Sequence, residues 1–176
     1  MPSGKTHDRI TYSLLPLVIA VSLLVGENIS VTLAATGGYL FAGLMFGPDL
    51  DIHSVQYKRW GWLRFLWLPY RSMLRHRSFL SHGPIVGTLF RVFYFGSFLL
   101  LITIVAGVIM ELIWGKGWNG EEMKGRIINI LWYSHRRESI ALLIGLELGA
   151  MSHSLSDWIG SSLKRSHRKT GKKSRR

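Results

Sequence analysis

One stretch of the chain, from Val92 to Met110, contains nineteen consecutive residues without a charged side chain. At about 1.5 Å per residue, a helix of this length spans roughly 28 Å, close to the hydrocarbon thickness of a bilayer. Three further apolar segments cover residues 10–25, 29–46 and 139–151. Together they predict an all-α fold, a membrane-associated bundle of about four apolar helices. The fourth segment has only thirteen residues and includes Glu147, so by length alone it fits a buried helix as well as a span.

The composition agrees with a membrane protein that has short polar connections. Apolar residues make up 48% of the 176 residues, and the mean hydropathy is +0.20. This length suits one compact domain, which we assign to residues 1–163 as a helical membrane metal-binding domain. Residues 164–176 carry eight lysines or arginines, which predicts a disordered polybasic tail attracted to anionic surfaces.

The charge balance and the absence of cysteine limit both partners and metal sites. The chain has 22 lysines and arginines against 10 acidic residues, a formal charge of +12. This excess favours membrane lipid as a partner, with anionic lipid or nucleic acid at the basic tail, and it identifies no protein partner. Because there is no cysteine, disulfides, thiolate ligands and cysteine nucleophiles are excluded. Any metal must be held by nitrogen and oxygen atoms.

The connection between residues 53 and 84 mixes basic and aromatic side chains. Its aromatic members include Trp60, Trp62, Trp67 and Tyr70. Such a mixture suits the headgroup layer of a membrane. The alternative is nucleic-acid binding, in which aromatic rings stack on bases and cations contact phosphates. Apolar segments flank this connection on both sides, which favours the membrane interface.

The distribution of basic residues also predicts the topology. Cytoplasmic connections of membrane proteins carry an excess of lysine and arginine. Both termini and the 53–84 connection are therefore predicted to be cytoplasmic. The turn at Glu27 and the 115–137 connection are predicted to lie outside.

This topology brings histidines and aspartates from all four helix ends to the cytoplasmic face. The seven candidate metal ligands are His7, Asp49, Asp51, His76, His82, His153 and Asp157. His153 and Asp157 are four residues apart in a predicted helix, so they project from one face. For a single residue, an ordinary structural role explains the sequence equally well. The convergence of the whole set favours a metal site.

Imidazole and carboxylate ligands together suit zinc best, with manganese or iron(II) as alternatives. An open coordination position leaves room for water, and metal-bound hydroxide is the usual basis of phosphoester or amide hydrolysis. Seven candidates leave room for more than one metal. Arg75 and Arg77 could contact a substrate phosphate, although lipid headgroups explain them equally well. His53 is a weaker candidate ligand, whereas His135 and His167 are predicted to be solvated and part of the tail, respectively.

Three motifs resemble those of a known family. They are Gly-Pro-Asp-Leu-Asp at residues 47–51, Tyr-Lys-Arg-Trp-Gly at residues 57–61, and His-Arg-Ser-Phe-Leu-Ser-His-Gly-Pro at residues 76–84. With Ser3-Gly-x-x-His7 and the stretch from His153 to Trp158, they resemble the bacterial uncharacterised metal-binding membrane proteins over most of the chain. More remotely, the pattern is similar to inner-membrane metal-dependent hydrolases and zinc-dependent phospholipase C.

The resemblance implies a multi-pass protein of the bacterial inner membrane that binds a divalent metal with His and Asp side chains. It implies no substrate, and His53 departs from its pattern. Two functional hypotheses follow. The first is a metal-dependent membrane hydrolase acting on a phosphoester or lipid-type substrate. The second is a non-catalytic membrane protein whose metal is structural and whose basic tail binds lipid or nucleic acid.

Overall fold

The computed structural model describes the backbone of residues 4–115 and 119–173, and the side chains of these residues up to 161. Wherever the chain is described, it forms helices and connections without a strand. Four segments are long and apolar enough to cross a membrane: Gly4–Gly26, Ile29–Asp51, Val86–Trp114 and Arg136–Ser161. The predicted all-α bundle is therefore confirmed. The fourth segment has 26 residues because the helix continues on both sides of the apolar run.

The helices follow one another with short connections. In chain order they are α1 (Gly4–Gly26), α2 (Ile29–Leu44), a 3-10 turn (Pro48–Asp51), α3 (Val55–Arg59), a 3-10 helix (Gly61–Trp67), α4 (Leu68–Met73), α5 (Phe79–His82), α6 (Val86–Trp114), α7 (Gly120–Ile128), a π-helical turn (Asn129–Ser134) and α8 (Arg136–Lys173). Asn28 caps α2, because its side-chain oxygen accepts a hydrogen bond from the backbone N–H of Ser30 at 2.7 Å.

The close packing of α2 against α8 forms the centre of the bundle. A Cβ atom at Gly38 would lie 2.5 Å from the carbonyl oxygen of Leu142, and one at Gly145 would overlap the carbonyl oxygen of Ala35. Only glycine therefore permits the two backbones to come this close. Small residues in the second apolar segment serve the role expected for helix packing in membranes.

The aromatic residues of the 53–84 connection are mostly part of the core. Trp67 and Tyr70 are fully buried, and Trp60 is buried as well. The Trp67 ring lies parallel to that of Phe95 on α6, with ring centroids 5.9 Å apart. These three rings pack inside the protein and are not available to headgroups or bases, whereas Trp62 is 79% exposed and remains accessible. The position of the connection at a membrane interface stays a prediction.

The backbone of the last segment continues as part of α8 to Lys173. This helix includes most of the stretch that is predicted from sequence to be a disordered tail. The side chains beyond residue 161, His167 among them, and residues 174–176 lie outside the described part of the chain. The boundary at residue 163 and the binding of lipid or nucleic acid by the tail remain predictions.

Candidate metal centre

All seven side chains predicted to be metal ligands lie at the same end of the bundle, and six of them form two groups. The first group consists of His7, His153 and Asp157. The second group consists of Asp49, His76 and His82. Within each group, one potential ligand atom from every residue lies within 4.8 Å of the others. The structure thus brings together residues that are up to 150 positions apart, as the topology argument predicts.

In the first group, His7 is held in one orientation by Ser156. The Ser156 hydroxyl donates a hydrogen bond to the carbonyl oxygen of His153 at 2.8 Å and lies 2.7 Å from Nδ1 of His7. Because the hydroxyl proton is already donated to that carbonyl oxygen, the hydroxyl oxygen accepts a hydrogen bond from His7. The Nδ1 atom of His7 therefore carries the hydrogen. The Nε2 lone pair of His7 then faces Oδ1 of Asp157 at 3.3 Å. Two lone pairs that face each other in a buried site are stabilised by a cation between or beside them.

In the second group, Ser81 orients His82 in the same way as Ser156 orients His7. The Ser81 hydroxyl donates to the carbonyl oxygen of Ser78 at 3.2 Å and lies 2.9 Å from Nδ1 of His82. The Nδ1–H of His82 therefore donates to Ser81, and its Nε2 atom faces Oδ1 of Asp49 at 3.6 Å. Hydrogen bonds of this kind fix the tautomer of metal-binding histidines.

Asp51 lies behind these imidazoles. Its Oδ1 atom accepts a hydrogen bond of 3.0 Å from Nδ1 of His76, and its side chain is completely buried. This leaves Nε2 of His76 as the bare nitrogen, as in His7 and His82. The geometry gives Asp51 the position of a carboxylate that orients a ligand.

Asp49 connects the two groups. One of its carboxylate oxygens faces Nε2 of His82, and the other lies 3.2 Å from Nε2 of His153. The rings of His153 and His7 stack with their centroids 3.8 Å apart. Asp49 is therefore positioned to bind an ion in each group at the same time, one with each carboxylate oxygen.

The donor atoms at this end of the bundle fit a divalent metal. Buried atoms without a hydrogen-bond partner include Asp49 Oδ1, Asp51 Oδ2, His76 Nε2, His82 Nε2, His153 Nε2 and both carboxylate oxygens of Asp157. Leaving a buried polar group unpaired costs about 1–3 kcal/mol. Cations bound to these atoms would remove that cost. The donor set contains only imidazole nitrogens and carboxylate oxygens, which suits zinc, manganese or iron.

Two charged residues within the apolar segments hold the loop that carries His76 and His82. Arg91 of α6 is 1% exposed and donates to the carbonyl oxygen of Ser81 at 2.7 Å. Glu147 of α8 accepts a hydrogen bond of 2.9 Å from the backbone N–H of Ile85, whose φ is +61°. These contacts give both charged side chains hydrogen-bond partners inside the bundle. They connect the loop that carries His76 and His82 to α6 and α8.

A third contact ties the beginning of α1 to the loop region. Arg59 donates two hydrogen bonds to the carboxylate of Asp8, at 2.9 and 2.5 Å. These bonds raise the pKa of the Arg59 guanidinium, so it stays charged at all accessible pH values. Asp8 follows His7 in the chain. The pair therefore fixes the helix end that supplies this histidine.

The remaining predicted residues lie at the edge of the centre or away from it. Nη2 of Arg77 lies 3.9 Å from Oδ2 of Asp157, whereas Arg75 is exposed. His53 is exposed, and its ring lies against that of Tyr57 at a centroid distance of 5.3 Å. His53 belongs to neither ligand group. His135 is exposed, as predicted.

A cleft of about 250 Å³ opens beside the two groups. It is lined by Arg77, His82, Ser154, Asp157, Trp158 and Ser161. His82 belongs to one ligand group and Asp157 to the other. A molecule in this cleft would therefore lie next to both.

Sequence reasoning missed the side chains that orient the ligands. Ser81 and Ser156 are direct neighbours of His82 and Asp157, so the pairing of a serine with each ligand is a signal that could have been found. Gln56, whose amide nitrogen lies 3.5 Å from Nδ1 of His153, gives no such signal. In the sequence, Arg91 is noticeable only as the charged residue directly before the uncharged stretch from Val92 to Met110.

The comparisons with known proteins identify a metal-binding family. A model of the family described as Uncharacterized metal-binding protein (DUF2227) matches residues 2–167. An uncharacterized protein of Aquifex aeolicus (strain VF5) is 45% identical over 58 residues, which are 32% of this chain and 40% of that relative. The chain thus spans less than half of the relative's length. No solved structure matches the chain.

The resemblance to the metal-binding family is confirmed by this match over nearly the whole chain. The more remote similarity to membrane hydrolases and zinc-dependent phospholipase C remains a prediction. The chain belongs to the metal-binding protein family DUF2227.

Proposed function

We propose that the protein is a metal-dependent hydrolase of the bacterial inner membrane that acts on a phosphoester at the cytoplasmic surface. The observation that carries the proposal is the orientation of three imidazoles. In His7, His76 and His82, a hydrogen bond occupies Nδ1, and the bare Nε2 faces the centre. This arrangement favours metal binding over three ordinary buried histidines, which would have both nitrogens paired.

Two divalent cations, zinc by the chemistry of the donors, would be held by the two groups. His7, His153 and Asp157 would bind one ion, and Asp49, His76 and His82 the other. Asp49 would be shared between them, and Asp51 would orient His76 through its Oδ1 atom. The ion of the first group would then have four protein ligands and the ion of the second group three. An open position at the second ion favours a catalytic site there, because structural zinc sites are usually closed by four protein ligands.

Bound cations would supply a nucleophile at neutral pH and stabilise the charge that develops on a phosphoester during hydrolysis. The residues of the cleft would position the substrate. Arg77 would bind the phosphate oxygens, because guanidinium matches their geometry and its charge offsets theirs. The candidate ligands Asp157 and His82 line the same cleft.

Metal depletion and reconstitution test the proposal. Purified protein is stripped with a chelator, reloaded with zinc or manganese, and assayed for the hydrolysis of phosphomonoesters and phosphodiesters. Activity should disappear on depletion, return on reloading, and be absent from reloaded His82→Ala. His53→Ala is the matched control, because it removes an exposed histidine that belongs to neither ligand group.

Metal removal that unfolds the helices, with no activity in the loaded protein, would contradict the proposal and favour a structural metal. Far-ultraviolet circular dichroism of the stripped protein provides this readout.

We also propose that the basic tail binds anionic lipid of the cytoplasmic leaflet, because its lysines and arginines follow directly after a segment that is long enough to span.

A further inference from the structure

We infer that the substrate is a phosphate-bearing lipid whose headgroup enters the cleft beside Arg77 while its acyl chains stay outside. This inference rests on the proposed hydrolase function and names its substrate class. It is carried by the size of the cleft, the position of Arg77 among its described lining residues, and the apolar side chains exposed at and beside it.

The size of the cleft fits a headgroup and excludes a whole lipid. Its volume of about 250 Å³ is below the roughly 300 Å³ at which pockets for drug-sized ligands begin. A phosphate with a small polar substituent fits into such a space. The remainder of an amphiphilic ligand must lie against the outer surface of the protein.

The position of Arg77 fits a phosphate at the junction of the two ligand groups. Its guanidinium lies 3.9 Å from Asp157, and the side chain is 45% exposed, so it can reach a ligand that enters from outside. The backbone of Arg77 has a φ of +62°. A residue other than glycine rarely adopts this conformation, and here it occurs at the cation that lines the cleft.

Large apolar side chains are exposed at the cleft and on the elements that flank it. Trp158 lines the cleft and is 66% exposed. Leu155 and Ile159 on the same helix are also exposed, as are Phe79 and Leu80 on the short helix that carries His82. These side chains offer an apolar surface against which acyl chains can lie while the headgroup occupies the cleft. A tryptophan near the end of a spanning segment suits the boundary between headgroups and acyl chains.

Binding to the full-length, zinc-loaded protein in detergent tests this inference. The probes are dioctanoyl phosphatidic acid, glycerol 3-phosphate, which has the same headgroup without acyl chains, and dioctanoylglycerol, which has the acyl chains without phosphate. Titration calorimetry should give at least about tenfold tighter binding of the lipid phosphate than of either other probe. Equal binding of glycerol 3-phosphate would overturn the inference in favour of a soluble substrate.

Variants of the loop that carries Arg77 test whether the lipid phosphate binds in the cleft. Arg77→Asn should weaken the binding of lipid phosphate at least tenfold, and asparagine tolerates the left-handed backbone at this position. Arg77→Lys, which keeps the charge, should retain more of the affinity. Arg75→Asn removes an exposed cation from the same loop and should bind like the wild type. If Arg77→Asn and Arg75→Asn bind alike, the inference is wrong.

A parallel assay of phosphate release separates this inference from the proposed function. Release from glycerol 3-phosphate together with no binding of the lipid would overturn the inference and leave the hydrolase function intact. Tight, Arg77-dependent binding of the lipid with no release from any substrate would support the lipid site and contradict the hydrolase function.

Discussion

His7 and His153 stack with their ring centroids 3.8 Å apart and their planes inclined by 17°, although they come from opposite ends of the chain. This contact joins the first turns of α1 to the middle of α8. The stack places Nε2 of His7 beside the carboxylate of Asp157, and Nε2 of His153 beside that of Asp49. Two potential ligand nitrogens from distant parts of the chain therefore lie next to carboxylates at the same end of the bundle.

The first prediction concerns the ligand groups as separate sites. His7→Ala removes one of three ligands from the buried group and leaves the other group complete. We expect the metal content to fall from two ions per chain to one, as measured by elemental analysis after dialysis. His135→Ala, which removes an exposed histidine, should keep both ions. A content of two ions in His7→Ala would show that this residue is no ligand.

The second prediction concerns the bridging position of Asp49. Its two carboxylate oxygens face His82 and His153, so Asp49→Asn should weaken the binding of both ions, by at least about tenfold each. Asp157→Asn should affect mainly the ion of its own group. Competition with a chromophoric chelator measures both affinities. Selective loss of one ion in Asp49→Asn would contradict the bridging role.

The third prediction concerns the close approach of α2 and α8. Gly145→Ala places a methyl group against the carbonyl oxygen of Ala35 and should lower the free energy of unfolding by about 1–3 kcal/mol. Gly37→Ala is the matched control on α2, because its Cβ meets nothing within 4 Å. There, alanine should leave stability unchanged or raise it by up to about 1 kcal/mol. Thermal unfolding in detergent compares the variants, and equal melting temperatures would be inconsistent with the packing described.

Much of this architecture could be predicted from the sequence. Uncharged runs such as Val92–Met110 identify helices directly, because only a helix satisfies its backbone hydrogen bonds in an apolar environment. The meeting of His7 with Asp157 follows from the alternation of four segments across a membrane. These conclusions depend on periodicity and on the number of crossings, and both can be read from local composition.

The interior of the 53–84 connection could not be predicted. Trp67 and Trp62 have similar neighbours in the sequence, yet one is fully buried and the other is exposed. What separates them is the contact of Trp67 with Phe95, a partner on another helix. The contact between Asp51 and His76 could not be predicted for a similar reason. The sequence neighbourhood of Asp51 matches that of Asp49, and only the three-dimensional structure shows that its Oδ1 atom faces Nδ1 of His76. Direct binding of metal by Asp51 stays a prediction.

The fourth prediction concerns the orientation of the bundle. Because the chain contains no cysteine, single cysteines can be introduced at Ser54 and Asn119 and labelled with an impermeant thiol reagent. In intact cells, position 119 should react and position 54 should react only after permeabilisation, since the basic connection is predicted to be cytoplasmic. Labelling of position 54 from outside would place the candidate centre on the opposite face.

The metal content of the purified protein tests the central claim most directly. Wild-type protein, the double variant His82→Ala/His153→Ala and the control His53→Ala are saturated with zinc, dialysed and analysed for bound metal. The double variant lacks one imidazole from each ligand group. We predict two zinc ions per chain in the wild type and in His53→Ala, and less than half an ion in the double variant. Equal zinc contents in all three proteins would contradict the assignment of the centre.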